Sequence, residues 1–158
     1  MSIGITGGDS NEGKNMPCLL GLHRRRETPM AKPKPLRVSD ETRFEVLARA
    51  NYKCERCGTD FLGIPISVHH RRPRMMGGSK DSTLHLPANL IVLCGTGTSG
   101  CHGWVEANRN EARRLGLLIQ KVESAEEIPF QDKSQVWWRI DNNGQKTRLD
   151  MNWTITHA

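Results

Sequence analysis

Paired cysteines, a helical segment ahead of them and alternating apolar stretches behind them predict an α+β fold braced by a metal. The cysteines fall as Cys54-x2-Cys57 and Cys94-x6-Cys101, with 36 residues between the pairs. Thiolates are soft ligands, and four of them complete a closed, tetrahedral zinc site. Ahead of them, Phe44, Leu47 and Ala48 recur at helical spacing. Behind them, Val136, Trp138 and Ile140 alternate, as do Leu149, Met151, Trp153 and Ile155. Asn142-Asn143-Gly144 between these two stretches is a hairpin signal.

A chain of 158 residues has room for one ordinary domain and a tail. With 36% hydrophobic and 5% aromatic residues the core is lean, which is where a structural metal contributes most. The net charge of +6 invites a nucleic-acid reading. Residues 1–38, however, hold seven Lys/Arg against three acids, so +4 of that charge sits outside the expected domain. No stretch approaches the roughly 20 apolar residues of a membrane span. Cys18-Leu19-Leu20-Gly21-Leu22 is too short for a signal-peptide core, and its arginines follow it rather than precede it. A cytoplasmic, reducing setting is therefore expected, in which paired cysteines mean metal more often than disulfide. Cys18 is left over as a bystander in the tail.

Three segments follow. Residues 1–38, with scattered glycines and prolines and the Arg24-Arg25-Arg26 run, read as a disordered basic arm, either merely solubilising or gripping phosphates. Residues 39–116 form the main domain. Ser39 caps a helix running to about Ala50, with Asp40 and Glu41 suited to its dipole. Cys54 to Cys57 makes a knuckle relaxed by Gly58. Ile64 to His69 reads as a strand, limited at its start by Pro65. Residues 76–87 are a loop, Leu90 to Leu93 a short buried strand, and His102 to Leu115 one helix stopped by Gly116. Residues 117–158 are a hairpin extension packed on the domain, its tryptophans (Trp137, Trp138, Trp153) read as core.

Within that frame lie Val68-His69-His70-Arg71-Arg72-Pro73-Arg74, Asn89 and Cys101-His102. Neighbouring side chains on a strand point to opposite faces, so His69 and His70 should have unequal roles. His102 and Glu106, four apart, share a helix face. The arginines have the fork geometry that grips phosphate, and equally suit a solvated basic loop. As a pair in isolation the two histidines would read as surface residues. His23, His85 and His157 read as incidental.

The combined pattern from about Cys54 to Gly116 resembles the HNH endonucleases, in particular the small HNH proteins of tailed phages. The resemblance implies a ββα-metal core braced by structural Zn²⁺ on Cys54, Cys57, Cys94 and Cys101, and a metal-dependent DNA endonuclease activity. It implies His69 and His102 as ligands of one catalytic divalent cation, His70 as general base, and Asn89 as the residue that orients the base or ties down its loop. Asn89 also has a complete reading as a turn residue. Many relatives carry His where this chain has Glu106. A carboxylate there is a harder ligand that favours Mg²⁺ or Mn²⁺ over Ni²⁺ or Zn²⁺, while the bland reading pairs it with Arg109 or Asn110. Arg71, Arg72 and Arg74 become candidate DNA contacts, and a phage packaging terminase the implied partner beside DNA. Two other readings stand: a zinc-stabilised DNA-binding or adaptor module without cleavage, and a homing-type nuclease.

Overall fold

Helix α1 (Asp40–Arg49) starts where Ser39 holds an extended backbone and its Oγ accepts from the Thr42 amide at 3.0 Å. It ends at Asn51 and Tyr52, both in the left-handed region at φ 55° and 54°. A computed structural model of the protein describes residues 37–74 and 81–150. The basic arm apart from its last two residues, Cys18, and Met151, Trp153 and Ile155 of the expected second hairpin strand lie outside the described residues.

The architecture is mixed helix and sheet. Strands β1 (Ile66–His70) and β2 (Leu90–Cys94) pair antiparallel, in a register running from Ile66 opposite Cys94 to His70 opposite Leu90. The first strand begins two residues later than expected, because Pro65 has no amide to give and serves only as the acceptor for the Gly95 amide. Every residue of β2 is buried, since both faces of the pair are covered. Leu90 and Val92 pack with Val46 of α1 and with Ala50, which caps its C-terminus. Ile91 and Leu93 point the other way, into a larger cluster with Val105, Ala112, Leu117, Leu118, Phe130 and Ile140.

That docking corrects the expected face of α1. Of the expected face, Leu47 does pack against the cluster of Leu90 and Val92, but Phe44 is 63% exposed and Ala48 is exposed too, whereas Val46 and Ala50 go inside. The helix is held in this rotation by Arg49, whose guanidinium pairs with buried Glu55 at 2.8 Å and donates to the Pro87 and Leu90 carbonyls. A charged residue at the interface, invisible to an apolar count, sets which stripe faces the sheet.

The expected single helix from His102 is two helices, α2 (Gly100–Ala107) and α3 (Arg109–Arg114). Asn108 breaks them at φ −119°, ψ 52°, with both its amide and its side-chain Nδ2 donating to the Trp104 carbonyl. Such local competition for backbone partners is why Asn favours helix ends. Gly116 does terminate α3, at φ +65°.

The hairpin is present as β4 (Trp137–Ile140) and β5 (Lys146–Leu149), joined through a turn in which Asp141 Oδ1 accepts from the Asn143 and Gln145 amides. A third strand, β3 (Phe130–Gln131), pairs with β4 and was not expected. Two residues carry no period to read. Among the described residues no helix is long and apolar enough to cross a membrane.

Candidate functional site

Cys54 and Cys57 come from the knuckle after α1, where Gly58 at φ +75° returns its amide to the Cys54 carbonyl at 2.8 Å. Cys94 ends β2 and Cys101 lies in the first turn of α2. The loop between them closes tightly, and a Cβ on Gly100 would sit 2.6 Å from the Cys94 carbonyl oxygen. This fold-back lets the Cys101 amide reach the Cys94 sulfur at 3.4 Å. The sulfurs of all four residues lie within 4.8 Å of one another, and none is in a disulfide. A tetrahedron with zinc–sulfur arms of ~2.3 Å has edges of ~3.8 Å, which is the Cys57–Cys94 sulfur separation, 3.8 Å. The donor set, its spacing and its burial fit a structural metal such as zinc.

Two features of this cluster go beyond the sequence reading. Arg56, itself buried, donates to the Cys101 sulfur at 3.5 Å while its guanidinium lies 3.6 Å over the Trp104 ring. The Cys54 thiol is pushed up to about 12, first by its hydrogen bond with Cys101 and then by burial. Cys101 moves down, chiefly through the same bond with Cys54, with Arg56 assisting.

The second constellation forms on the α2 side of the strand pair. His69 sits opposite Ile91 in the register, so it shares the face that α2 covers. There its ring meets that of His102, centroids 5.0 Å apart and planes at 68°. One donor atom from each of His69, His102 and Glu106 lies within 4.8 Å of the others. His69 Nε2 and His102 Nδ1 are both buried and make no hydrogen bond. Orphaned buried nitrogens are costly unless something occupies them, and a cation between two imidazoles and a carboxylate would satisfy both. His69 also has a backbone hydrogen bond with Leu117. With Nε2 unpartnered this bond falls to Nδ1, the outer-shell contact that typically fixes a ligating imidazole. Burial, then the neighbouring His102, lowers the His69 pKa to about 3, and burial lowers His102 as well. Both rings are thus neutral, as ligands must be. Glu106 is at the same time paired with Arg109 at 2.7 Å on a half-exposed surface, so the ligand reading and the bland reading coexist.

His70 points to the other face, as strand alternation requires. Its Nε2 lies 3.3 Å from His85 Nδ1. Burial, followed by Arg74 and His85, lowers its pKa to about 4. Asn89 is buried. Its Oδ1 accepts from the Arg72 amide at 2.7 Å, and its Nδ2 donates to the Leu84 carbonyl at 2.9 Å. It therefore staples the segment before β2 to the end of β1.

The three arginines separate. Arg71, expected as a phosphate clamp, is fully buried, with its guanidinium donating to the carbonyls of Gly116, Ala88, Ala125, Ile128 and Pro129. All its donors are engaged by backbone, so it is a strut and not a DNA contact. Arg72 is largely covered and binds Asp81 at 3.2 Å, Thr83 and the Lys121 carbonyl. Arg74 alone of the three is exposed. His85, read from sequence as incidental, lies beside His70, and no local signal marks it because the approach is made by the fold.

Comparison of the chain with protein-family models, with curated proteins and with solved structures found no match.

Proposed function

We propose that the chain is a metal-dependent DNA endonuclease of the HNH type, with β1, β2 and α2 as a ββα-metal core braced by zinc on the four cysteines. The observation that carries this reading is the pair of buried, unpartnered nitrogens His69 Nε2 and His102 Nδ1 beside Glu106. A binding module has no use for two unpartnered imidazole nitrogens, and another imidazole, that of His70, stands on the next residue of the same strand with its Nε2 beside His85.

In this reading His69, His102 and Glu106 hold one divalent cation, with Mg²⁺ or Mn²⁺ favoured by the carboxylate. When bound, such an ion offsets charge on the attacked phosphate and the leaving 3′ oxygen. His70 takes the proton of a water whose oxygen bonds to phosphorus as the bond to the 3′ oxygen breaks. In the same reading Arg74, the exposed one of the three arginines, meets the phosphate from solvent. Because Cys101 and His102 are adjacent in the first turn of α2, the zinc site fixes the position of a catalytic ligand. A packaging terminase is the proposed protein partner, on the strength of the resemblance alone.

The test is supercoiled plasmid incubated with zinc-containing protein plus EDTA, Mg²⁺, Mn²⁺, Ni²⁺ or Zn²⁺. Metal-dependent nicking or linearisation that His70→Ala abolishes while still folded is the expected result. A folded His70→Ala that cuts like wild type refutes the assignment and leaves a DNA-binding module in its place.

A further inference from the structure

We infer that His85 is the positioning residue of His70, fixing which nitrogen of that ring faces the water. The inference rests on the reading of His70 as the base. Its structural content is the contact His70 Nε2···His85 Nδ1 at 3.3 Å, with the rings at 83° and centroids 5.4 Å apart.

His85 does not approach on a slack loop. It is the last residue of a 3-10 turn, Ser82–His85, capped by Asp81, whose Oδ1 accepts from the Thr83 amide at 2.9 Å. Two ties bind this turn to Arg72, just past the end of β1. Asp81 Oδ2 pairs with Arg72 at 3.2 Å, and the Leu84 carbonyl accepts from Asn89, which in turn accepts from the Arg72 amide. Leu84 is itself buried, 5% exposed, between those ties. A side chain delivered this way has a defined orientation, as a site that must hold a proton donor or acceptor in place requires.

The chemistry gives the contact a direction. A neutral imidazole carries one proton, and the hydrogen bond of one nitrogen decides which form the other takes. With Nε2 directed at His85, the nitrogen left for water is Nδ1, which can act as a base only with a free lone pair. For Nδ1 to be that base the ring proton must lie on Nε2 and be donated to His85 Nδ1, so His85 carries its own proton on its buried Nε2. In the opposite arrangement His85 Nδ1–H donates, the His70 proton sits on Nδ1, and no lone pair faces the water. In the step itself an O–H bond of water breaks and its proton bonds to His70 Nδ1. The resulting imidazolium keeps its Nε2–H on His85 until the Nδ1 proton passes to solvent. No other reactant is needed. Asn89 then acts on the reaction through two residues, holding the turn that holds His85.

The experiment is long-range proton–nitrogen NMR on the zinc-containing full chain, read together with steady-state plasmid cleavage, for wild type, His85→Ala and His85→Asn. The expected wild-type spectrum shows His70 protonated on Nε2. His85→Ala should give a mixture of His70 tautomers and a kcat about 10- to 100-fold lower, part of the roughly 10²–10⁴ that a general base contributes, with KM little changed. Asn places an acceptor oxygen about where Nδ1 stood, so His85→Asn should restore the Nε2–H form and most of the rate. A wild-type His70 protonated on Nδ1 overturns the inference, and so does a His85→Ala protein with unchanged tautomer and unchanged kcat. If His85→Ala does not fold, wild type and His85→Asn decide it by tautomer alone. If wild type cuts no DNA with any metal, the endonuclease reading fails. The tautomer measurement still shows whether His85 positions His70.

Discussion

Replacing Arg71 with Met removes five guanidinium-to-carbonyl hydrogen bonds from a site with no solvent access while keeping most of the apolar stem. A hydrogen bond to a charged group contributes about 1.5–3 kcal/mol. The contacts share one planar group, so their losses do not add. A buried carbonyl left without its donor costs about 1–3 kcal/mol, partly offset because the charge itself is no longer buried, and about 3 kcal/mol in total is the expected destabilisation. The carbonyls come from Ala88, just before β2, from Gly116 after α3, and from Ala125, Ile128 and Pro129 leading to β3. Their loss therefore unties the C-terminal segment from the strand pair as well. Burial lowers the Arg71 pKa to about 9, with Glu55 as the first opposing influence, so the group is charged at neutral pH. Arg71→Lys should recover only part of the loss, because one ammonium cannot reproduce the planar fork. Urea unfolding of the zinc-containing protein measures this as a drop in midpoint at unchanged slope. A folded Arg71→Met of wild-type stability that binds DNA more weakly would refute the argument and return Arg71 to the phosphate contacts.

Five further outcomes are expected. Reduced, freshly purified protein should contain one zinc per chain. Cys54→Ala or Cys94→Ala should be unfolded or insoluble, since binding energy on the order of 10 kcal/mol is also folding energy; elemental analysis and circular dichroism check both. His70→Ala should fold, keep its zinc and lose roughly 10²–10⁴ in cleavage rate, the usual share of a general base, as read by plasmid nicking. Glu106→Ala should leave the melting temperature nearly unchanged, because its partner Arg109 is half exposed and such a pair contributes at most about 1 kcal/mol. It should nevertheless raise the Mg²⁺ or Mn²⁺ concentration needed for half-maximal cleavage, and an unchanged metal titration would leave the ion with the two histidines only. Asn89→Leu should cost about 2–4 kcal/mol by calorimetry, since the Arg72 amide and the Leu84 carbonyl lose a buried partner.

The sequence by itself determined the α+β character, the four-cysteine cluster, the start of α1 at Ser39, the stop at Gly116 and the turn of the hairpin. These are local statements. A cap, a positive-φ glycine, a soft-ligand spacing and a period of two each act over a few residues, and each survived folding. Strand alternation likewise separated His69 from His70 before any contact was known. Three-dimensional packing decided the rest. Both arginines after His70 look alike in the sequence, yet one is a buried strut and the next binds Asp81, because the segment returning after Gly116 happens to present its carbonyls at Arg71. The buried stripe of α1 followed Arg49 and its partner Glu55, and not the apolar count. His85 came to His70 only because Asn89 and Asp81 tie a distant turn to the end of β1. Long-range hydrogen bonds to backbone carbonyls leave no periodic trace in the sequence, since every residue supplies the same carbonyl.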